Sequence, residues 1–221
     1  MLRNLMLLPA GAVILTLALA GLGLSAETNE AEPEAPPSGN LSGYRVAVLV
    51  GEGFHDAEAM MPIAMLANRG AEVVVLAPEA GLVKAYNSDL RLHVHKAVSA
   101  AQPAAFEALI LPGGTAPRAL SEHADAVAFV KAFAAMGRPV AAICHGPLLL
   151  AAADTLQGRE VTGVGGIADD LRQAGATYHD REMVRDGHLI TSRVPRDIPA
   201  WLIALEEALH ELAMHAPCCG G

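Results

Sequence analysis

A cysteine followed directly by a histidine stands where an apolar stretch of the sequence gives way to a helical pattern. In the string AAICHGPLLL, Cys144 and His145 occupy this junction, and Ala142 and Gly146 lie two residues to either side of the cysteine. A side chain at a sharp strand-to-helix turn is held clear of the sheet, and small neighbours let the backbone turn tightly. The start of the following helix also favours a thiolate. These features predict an exposed, nucleophilic cysteine. A buried structural cysteine, which behaves as a small hydrophobe, is the alternative.

The elements that must position this cysteine are short apolar strands that alternate with helices. Four runs have the character of buried parallel strands, because they are β-branched or continuously apolar and are bounded by turn residues. They are YRVAVLV (44–50), EVVVLAP (72–78), EALILPGG (107–114) and PVAAIC (139–144). Helices are predicted after Asp56, at 124–136 and at 147–153. The alternation predicts an α/β fold with a doubly wound, mainly parallel, flavodoxin-like sheet flanked by helices. In such sheets, ligands bind outside the carboxyl ends of the strands, where Cys144 stands.

Four blocks of the sequence resemble the ThiJ/PfpI family, which has the class I glutamine amidotransferase-like fold. The blocks are LILPGG (109–114), AAICHGPLLL (141–150), GIADDLRQAGA (166–176) and SRVP (192–195). The resemblance extends from about Tyr44 to Leu212, and the AICHGP string at a strand end is its most specific part. It looks most like the intracellular protease I branch. Its sister branches include a parkinsonism-associated deglycase and glyoxalase III enzymes.

The resemblance implies a role for each of five residues. Cys144 matches the family nucleophile, and His145 matches the residue that follows it. In the string HDAEAMMP, Glu58 stands where the family keeps a glutamate that hydrogen-bonds the cysteine sulfur. By position alone, Glu58 would only compensate the helix dipole, as acidic residues in the first turn of a helix commonly do. Gly113 and Gly114 lie in a loop after a strand, where bare amides can face a developing oxyanion, and the His145 amide is the natural partner donor.

One position departs from the pattern of the protease-like branch. In that branch, the residue after AP in the GGxAP loop is an acid that completes a cysteine, histidine and glutamate triad across a subunit contact. Arg118 stands there in this chain. Because a triad needs a third group to orient its imidazole, Arg118 argues against both the cross-subunit triad and peptidase activity. Glu122, Asp125 and Asp180 are the acids that could substitute, and Arg118 itself is expected to take no part in the chemistry.

The sequence divides into four segments. Residues 1–26 have one early basic residue, Arg3, followed by an uncharged apolar run, which is typical of a signal peptide and long enough for an uncleaved signal anchor. Residues 27–43 are acidic and proline-rich and predict a linker. The globular domain is expected at 44–214, followed by a cysteine-containing tail at 215–221. We therefore expect an exported, periplasmic or extracytoplasmic protein, which is attached to a membrane if the segment is uncleaved.

Composition and charge limit the partners. A formal net charge of −9 argues against a general basic surface for nucleic acid or an anionic membrane. No cofactor fingerprint is found, and no metal site is predicted, because the pair His93 and His95 lacks a third ligand. Cys218 and Cys219 in the tail could bind a thiophilic metal or form a disulfide, although a loose tail is favoured. The expected partners are a small carbonyl compound or a glycated protein and, by resemblance, further copies of the chain.

Two classes of function fit these residues. The first is an enzyme in which the Cys144 thiolate attacks a reactive 2-oxoaldehyde, its early adduct on a protein or, less favoured, a peptide bond. The second is a non-enzymatic stress protein that uses the same cysteine as a redox sensor or acts as a chaperone. Turnover distinguishes them, because a sensor gives one oxidation event per chain whereas an enzyme forms many moles of product.

Overall fold

The computed structural model describes residues 39–215, and its centre is a seven-stranded sheet. The strands in chain order are β1 (Arg45–Leu49), β2 (Glu72–Ala77), β3 (Gly81–Lys84), β4 (Arg91–Val94), β5 (Lys96–Ala97), β6 (Ala108–Leu111), β7 (Val140–Ile143), β8 (Glu160–Val161), β9 (Thr177–Tyr178), β10 (Met183–Asp186) and β11 (Leu189–Ser192). The central sheet has the order β10-β11-β7-β6-β1-β2-β5. Its neighbouring strands are parallel except for β10 and β11, which pair antiparallel at one edge.

Helices flank this sheet and connect its strands. They are α1 (Asp56–Asn68), α2 (Ala116–Leu120), α3 (Ala124–Ala134), α4 (Pro147–Ala152), α5 (Ala168–Gln173) and α6 (Ile198–His215). The buried faces of the longer helices carry large apolar side chains, such as Leu66 on α1, Phe133 on α3 and Trp201 on α6, each fully buried. Burial of these faces against the sheet is the main source of helix stability in a domain of this kind.

The prediction of a doubly wound, mainly parallel α/β sheet is confirmed, and the four predicted strands are β1, β2, β6 and β7. Every residue of β6 and β7 is buried, as expected for strands covered on both faces. The strands end earlier than the apolar runs. Gly113, Gly114 and Cys144 therefore lie in the turns just beyond β6 and β7, at the carboxyl edge of the sheet.

Three further pairings were not predicted from the sequence. β3 and β4 form a separate antiparallel hairpin, β8 and β9 form a short parallel pair, and β10 and β11 extend the central sheet. Except for β11, whose residues are all buried, these strands are partly exposed and have mixed polarity. The β3–β4 hairpin bears on the active site, since its connecting loop reaches the turn before α1.

The folded domain begins earlier than the sequence indicated. Leu41, within the predicted linker, is 1% exposed and belongs to the apolar core. Its N–H donates to the carbonyl oxygen of Arg69 at 2.7 Å. The end of the predicted linker is therefore part of the domain. The predicted signal segment, most of the linker and the residues Cys218 and Cys219 lie outside the described residues. Between residues 39 and 215, no helix combines the length and apolar character needed to cross a membrane.

Candidate active site

Cys144 lies at a strained turn between β7 and α4. Its φ of 61° is in the left-handed region, which costs a non-glycine residue about 1–2 kcal/mol. Backbone hydrogen bonds hold the residue there, because its N–H donates to Ser192 O at 3.1 Å and its carbonyl accepts the Val164 N–H at 3.1 Å. The predicted nucleophile elbow is therefore present. Strain retained by the surrounding structure is common at catalytic positions.

Two glycines make room for this turn. A Cβ on Gly146 would overlap the backbone oxygen of Leu111 and would lie 2.9 Å from that of Ile143. A Cβ on Gly113 would lie 2.6 Å from the Cβ of Cys144. The absence of a side chain at both positions is thus a packing requirement of the elbow.

Glu58, in the first turn of α1, reaches the same turn from a neighbouring element. Its side chain is fully buried, its Oε2 accepts the Gly113 N–H at 2.8 Å, and it forms a side-chain hydrogen bond with Cys144. Its Oε1 has no nitrogen or oxygen partner among the described residues. Burial raises the pKa of Glu58 to about 7, against the lowering effect of the Gly113 and Cys144 hydrogen bonds. Glu58 is thus placed to hold or release a proton at neutral pH.

The Cys144 thiol is less exposed than the sequence indicated. The residue is 8% exposed, and burial followed by the negative charge of Glu58 raises its pKa to about 12. The amides of Gly114 and His145 act in the opposite direction through hydrogen bonds to the sulfur. The His145 amide at the start of α4 therefore acts in the expected direction, but desolvation and the Glu58 carboxylate outweigh it. A proton on Glu58 removes the opposing charge and favours the thiolate.

The His145 ring lies directly against the nucleophile. Its Nδ1 is 3.3 Å from the Cys144 sulfur. Burial lowers the pKa of His145, and the positive charge of Arg118 lowers it further. The ring is therefore neutral at pH 7 and available as a proton acceptor. Arg118 is 70% exposed and acts on His145 through its charge, whereas the expectation that it takes no direct part in the chemistry stays a prediction.

The Gly113–Gly114 loop serves the site differently from the prediction. The Gly113 N–H is taken by Glu58, so this amide is not a free oxyanion donor. The Gly114 and His145 amides face the sulfur, which places them beside any atom bonded to it. Gly114 has a φ of 92°, and a Cβ there would lie 2.7 Å from the backbone nitrogen of His55. The donor pair at the sulfur is therefore Gly114 with His145.

None of the three candidate acids completes a triad in the described structure. Glu122 lines a cavity of about 340 Å³ together with Arg118, between α2, α4 and α5. Asp125 lies beside Phe129 on α3. Asp180 accepts a hydrogen bond from Arg193 at 2.7 Å. None of them is hydrogen-bonded to the His145 ring, whose partner within residues 39–215 is the Cys144 sulfur.

Sequence analysis missed an aromatic pair at the edge of the site. His55 precedes α1, and its N–H donates to Gly113 O at 3.1 Å. Tyr86, in the loop of the β3–β4 hairpin, lies edge-to-face on His55 with ring centroids 5.6 Å apart and is 55% exposed. The available signal was an aromatic residue in the polar string AYNSD. We call these two residues the aromatic rim.

His93 on β4 and His95 directly after β4 lie close together, without a third ligand for a metal ion among the described residues. The rings of His93 and His95 are 5.5 Å apart, and the Nδ1 of His95 accepts the Val75 N–H at 3.0 Å. In the described part of the chain, no group of three or more histidine, cysteine or acidic side chains is arranged to hold a metal ion.

Comparisons with known proteins agree with this architecture. Residues 44–208 match the DJ-1/PfpI family, and the chain belongs to that family. Protein/nucleic acid deglycase 2 of Escherichia coli is 40% identical over 159 residues, which cover 71% of this chain and 92% of that protein. A candidate cysteine protease of Bacillus subtilis is 38% identical over 157 residues, which cover 71% of this chain and 93% of that protein.

A solved structure shows the same fold. A two-domain protein from Anabaena variabilis, with a DJ-1/ThiJ/PfpI-like domain and a ferritin-like domain, matches with a TM-score of 0.74 at 35% identity. The match covers 76% of this chain and 48% of that chain, so the present chain spans about half of the two-domain protein. The resemblance to the ThiJ/PfpI family is confirmed, and the relatives' names support an enzyme of the deglycase or protease-like kind.

Proposed function

We propose that this protein is a cysteine-dependent enzyme that converts reactive 2-oxoaldehydes and their early adducts on proteins into hydroxy acids. The observation that carries the proposal is the position of the Cys144 sulfur between two proton acceptors. It lies 3.3 Å from Nδ1 of His145 and is hydrogen-bonded to Glu58, a carboxyl group with a pKa of about 7. Such a site can move a proton off the thiol and return it within one reaction cycle.

The first step is attack of the sulfur on the aldehyde carbon of methylglyoxal. The thiol proton passes to Glu58 or to His145, and the new C–S bond leaves the former carbonyl oxygen as an oxyanion. The amides of Gly114 and His145 lie beside this atom and stabilise it, and each such donor contributes on the order of 3 kcal/mol where measured. Protonation of the oxyanion gives a hemithioacetal.

The second step is an internal transfer of hydrogen within the bound substrate. The neutral His145 ring removes the proton from the carbon bonded to sulfur, which gives an enediolate, and the same ring returns a proton to the neighbouring carbon. The former aldehyde carbon becomes a thioester carbonyl, and the former ketone becomes a secondary alcohol. No external oxidant or reductant is needed, because one carbon is oxidised while its neighbour is reduced.

Hydrolysis completes the cycle. Water attacks the lactoyl thioester, the C–S bond breaks, and lactate leaves while Cys144 regains its proton. The sum is methylglyoxal plus water to lactate, so no cofactor enters the proposal. For an adduct on a protein amine, the sulfur displaces the amine from the same carbon, and the amine leaves with a proton from His145 or Glu58. The later steps are then identical.

The same site supports peptide hydrolysis less well. An imidazole that must act as acid and base on a peptide needs an anion to orient it and to stabilise its charged form. Arg118 has the opposite charge and lowers the pKa of His145. The reaction with a 2-oxoaldehyde does not need such an anion, because it uses His145 in its neutral form.

We also infer that the enzyme is exported and that it assembles with further copies of itself. Export rests on the apolar residues that follow Arg3, and assembly rests on the resemblance to a branch with a cross-subunit triad. A periplasmic reporter fused after Met214 tests export, with deletion of residues 1–26 as its control. If the reporter stays in the cytoplasm, the export proposal fails. Light scattering of the purified domain tests assembly, and a strictly monomeric mass contradicts it.

The central experiment measures lactate formed from methylglyoxal by the wild-type protein, Cys144→Ser and His145→Ala. We expect many turnovers per chain in the wild type, none in Cys144→Ser and a loss of at least about 100-fold in His145→Ala. Full turnover in Cys144→Ser overturns the mechanism. A wild-type protein that forms no lactate, yet takes up one oxidising equivalent at Cys144, supports the redox sensor or chaperone instead.

A further inference from the structure

We propose that the aromatic rim, His55 and Tyr86, is a binding subsite for the carrier of the adduct, and that its preferred ligand is the planar guanidinium cation of an arginine side chain. This inference rests on the proposed function, because a carrier exists only for adducts and not for free aldehydes. It concerns the part of the substrate that leaves as the amine.

The backbone ties the rim directly to the reacting loop. The His55 N–H donates to Gly113 O at 3.1 Å, and Phe54 forms isolated β-bridges with both Gly114 and Ala85. The Tyr86 N–H donates to Phe54 O at 3.1 Å. His55 is thus hydrogen-bonded directly to the Gly113–Gly114 loop, which packs on Cys144, and Tyr86 is connected to that loop through Phe54.

The Tyr86 ring is exposed while being held in place. A tyrosine that is 55% exposed beside a buried nucleophile keeps much of its ring surface free, although its edge-to-face contact with His55 limits its movement. The loop is also fastened, because Asn87 Nδ2 donates to Asp56 Oδ1 at 2.7 Å and Asp56 N–H donates to Asn87 Oδ1 at 3.2 Å. A preorganised ring loses little entropy when a ligand stacks on it.

The charges that act on this ring are negative. Burial raises the pKa of Tyr86, and the charges of Cys144, Glu58 and Asp56 raise it further where these groups are ionised. Because the Cys144 thiol, with a pKa of about 12, is protonated at pH 7, the negative charge near the ring at that pH comes from Glu58 and Asp56. Hydrogen bonds from Asn87 and Ser88 lower the pKa of Asp56 and keep it ionised. Burial lowers the pKa of His55, so this ring is neutral at pH 7 and does not repel a cation. The field at the rim therefore favours a positively charged carrier.

A guanidinium group fits this surface better than an ammonium group or a nucleic acid. It is planar, delocalised and weakly hydrated, so it stacks on an aromatic ring with a smaller loss of hydration than the compact lysine ammonium. A nucleobase would also stack, but its phosphates meet a protein with a formal net charge of −9. The observations therefore favour arginine adducts within proteins.

The test compares three substrates: free methylglyoxal and its early adducts with N-acetylarginine amide and N-acetyllysine amide. In Tyr86→Ala, we expect the ratio of kcat/KM for the arginine adduct to that for free methylglyoxal to fall about 10-fold, mainly through KM. Tyr86→Phe keeps the ring and should restore most of the ratio. Leu82→Ala is the matched control, because Leu82 is an exposed apolar residue of the same hairpin, 62% exposed.

A second measurement does not depend on turnover. The inactive variant Cys144→Ser, with and without Tyr86→Ala, is titrated with N-acetylarginine amide, and the amide NMR shifts of residues 54–56 and 86–88 are followed. We expect saturable shifts at these residues that weaken several-fold when Tyr86 is removed. This result separates the two proposals, because it tests the subsite even if the wild type forms no lactate.

Three outcomes overturn the inference. The first is an unchanged ratio of kcat/KM for the arginine adduct to that for free methylglyoxal in Tyr86→Ala, because an equal loss for both substrates shows that Tyr86 acts only on the shape of the site. The second is an absence of shifts at the rim in the titration. The third is a Tyr86-dependent preference for a guanosine adduct over the arginine adduct, which assigns the rim to nucleic acid.

Discussion

The carboxylate of Glu58 accepts the backbone N–H of Gly113 at 2.8 Å, which joins the first turn of α1 to the loop after β6. The two residues are 55 positions apart in the sequence, and their contact is fully buried. It fixes the distance between Glu58 and Cys144, because Gly113 packs directly on the cysteine Cβ. The acid of the proposed reaction is thus held beside the nucleophile by one backbone amide.

Replacement of Glu58 by glutamine should lower the pKa of the Cys144 thiol from about 12. The charge of Glu58 raises this pKa, and glutamine removes the charge while its amide can donate to the sulfur. The rate of iodoacetamide alkylation, measured against pH, should show the thiolate of Glu58→Gln at lower pH than that of the wild type. Superimposable profiles would contradict the pairing. Glu122→Gln makes the same chemical change at an exposed position and serves as the control.

Glu58 should also make the free energy of unfolding depend on pH. Its folded pKa of about 7 lies above the ordinary value of 4.5, so the folded state binds its proton more tightly than the unfolded state does. The stabilisation is complete below pH 4.5 and is lost as the pH rises through about 7, by about 3 kcal/mol in total.

Urea unfolding of the wild type and Glu58→Gln between these pH values measures this term. The difference in free energy of unfolding between the two proteins should change by about 3 kcal/mol, in favour of the wild type at the acidic end. Parallel curves would show that Glu58 is ionised, or equally protonated, in both states. Comparison of two variants cancels the other titrating groups, which they share.

The parts of the fold that follow from local pattern could be predicted from the sequence. β6 and β7 consist of continuous apolar residues, and β1 and β2 are apolar after their first residues, Arg45 and Glu72. The small residues around Cys144 indicated the turn. The β3–β4 hairpin and β10 could not be predicted in this way, because half-exposed strands of mixed polarity take their pairing from tertiary contacts.

The electrostatic character of the site was less accessible to prediction. The position of Cys144 after a strand and before a helix favoured an exposed thiolate. The burial of its side chain, however, depends on which segments distant in the sequence cover the turn. The 8% exposure of Cys144 and its contact with Glu58 arise from α1 and the loop after β6. The role of Tyr86 depends in the same way on a hairpin that approaches from outside the central sheet.

Gly146→Ala should destabilise the domain by about 1–3 kcal/mol. The added methyl group meets the backbone oxygens of Leu111 and Ile143, and backbone atoms cannot move aside as a flexible side chain can. The matched control is Gly165→Ala, where a Cβ meets nothing within 4 Å. Thermal and urea unfolding of both variants measure the difference. Equal stability of the two variants would show that the elbow has free space, contrary to the structure.

Arg118→Ala should raise the pKa of His145 towards its ordinary value, because the Arg118 charge opposes protonation of the ring. The pKa is read from the pH dependence of the His145 Cε1–H chemical shift. Since the proposed reaction uses the neutral ring, the acidic limb of the lactate-forming activity should move to higher pH, while activity on the alkaline side changes little.

Arg118→Lys preserves the charge and Arg172→Ala removes an exposed arginine from α5, so neither should move the titration as Arg118→Ala does. Arg118→Glu should raise the pKa of His145 further, because an anion then replaces a cation beside the ring. This variant also supplies an acid at the position where the protease-like branch has one, so hydrolysis of a peptide substrate is measured in parallel. If the titration of His145 is the same in all four variants, Arg118 does not act on the ring, and the assignment of His145 as the base must rest on its contact with Cys144 alone.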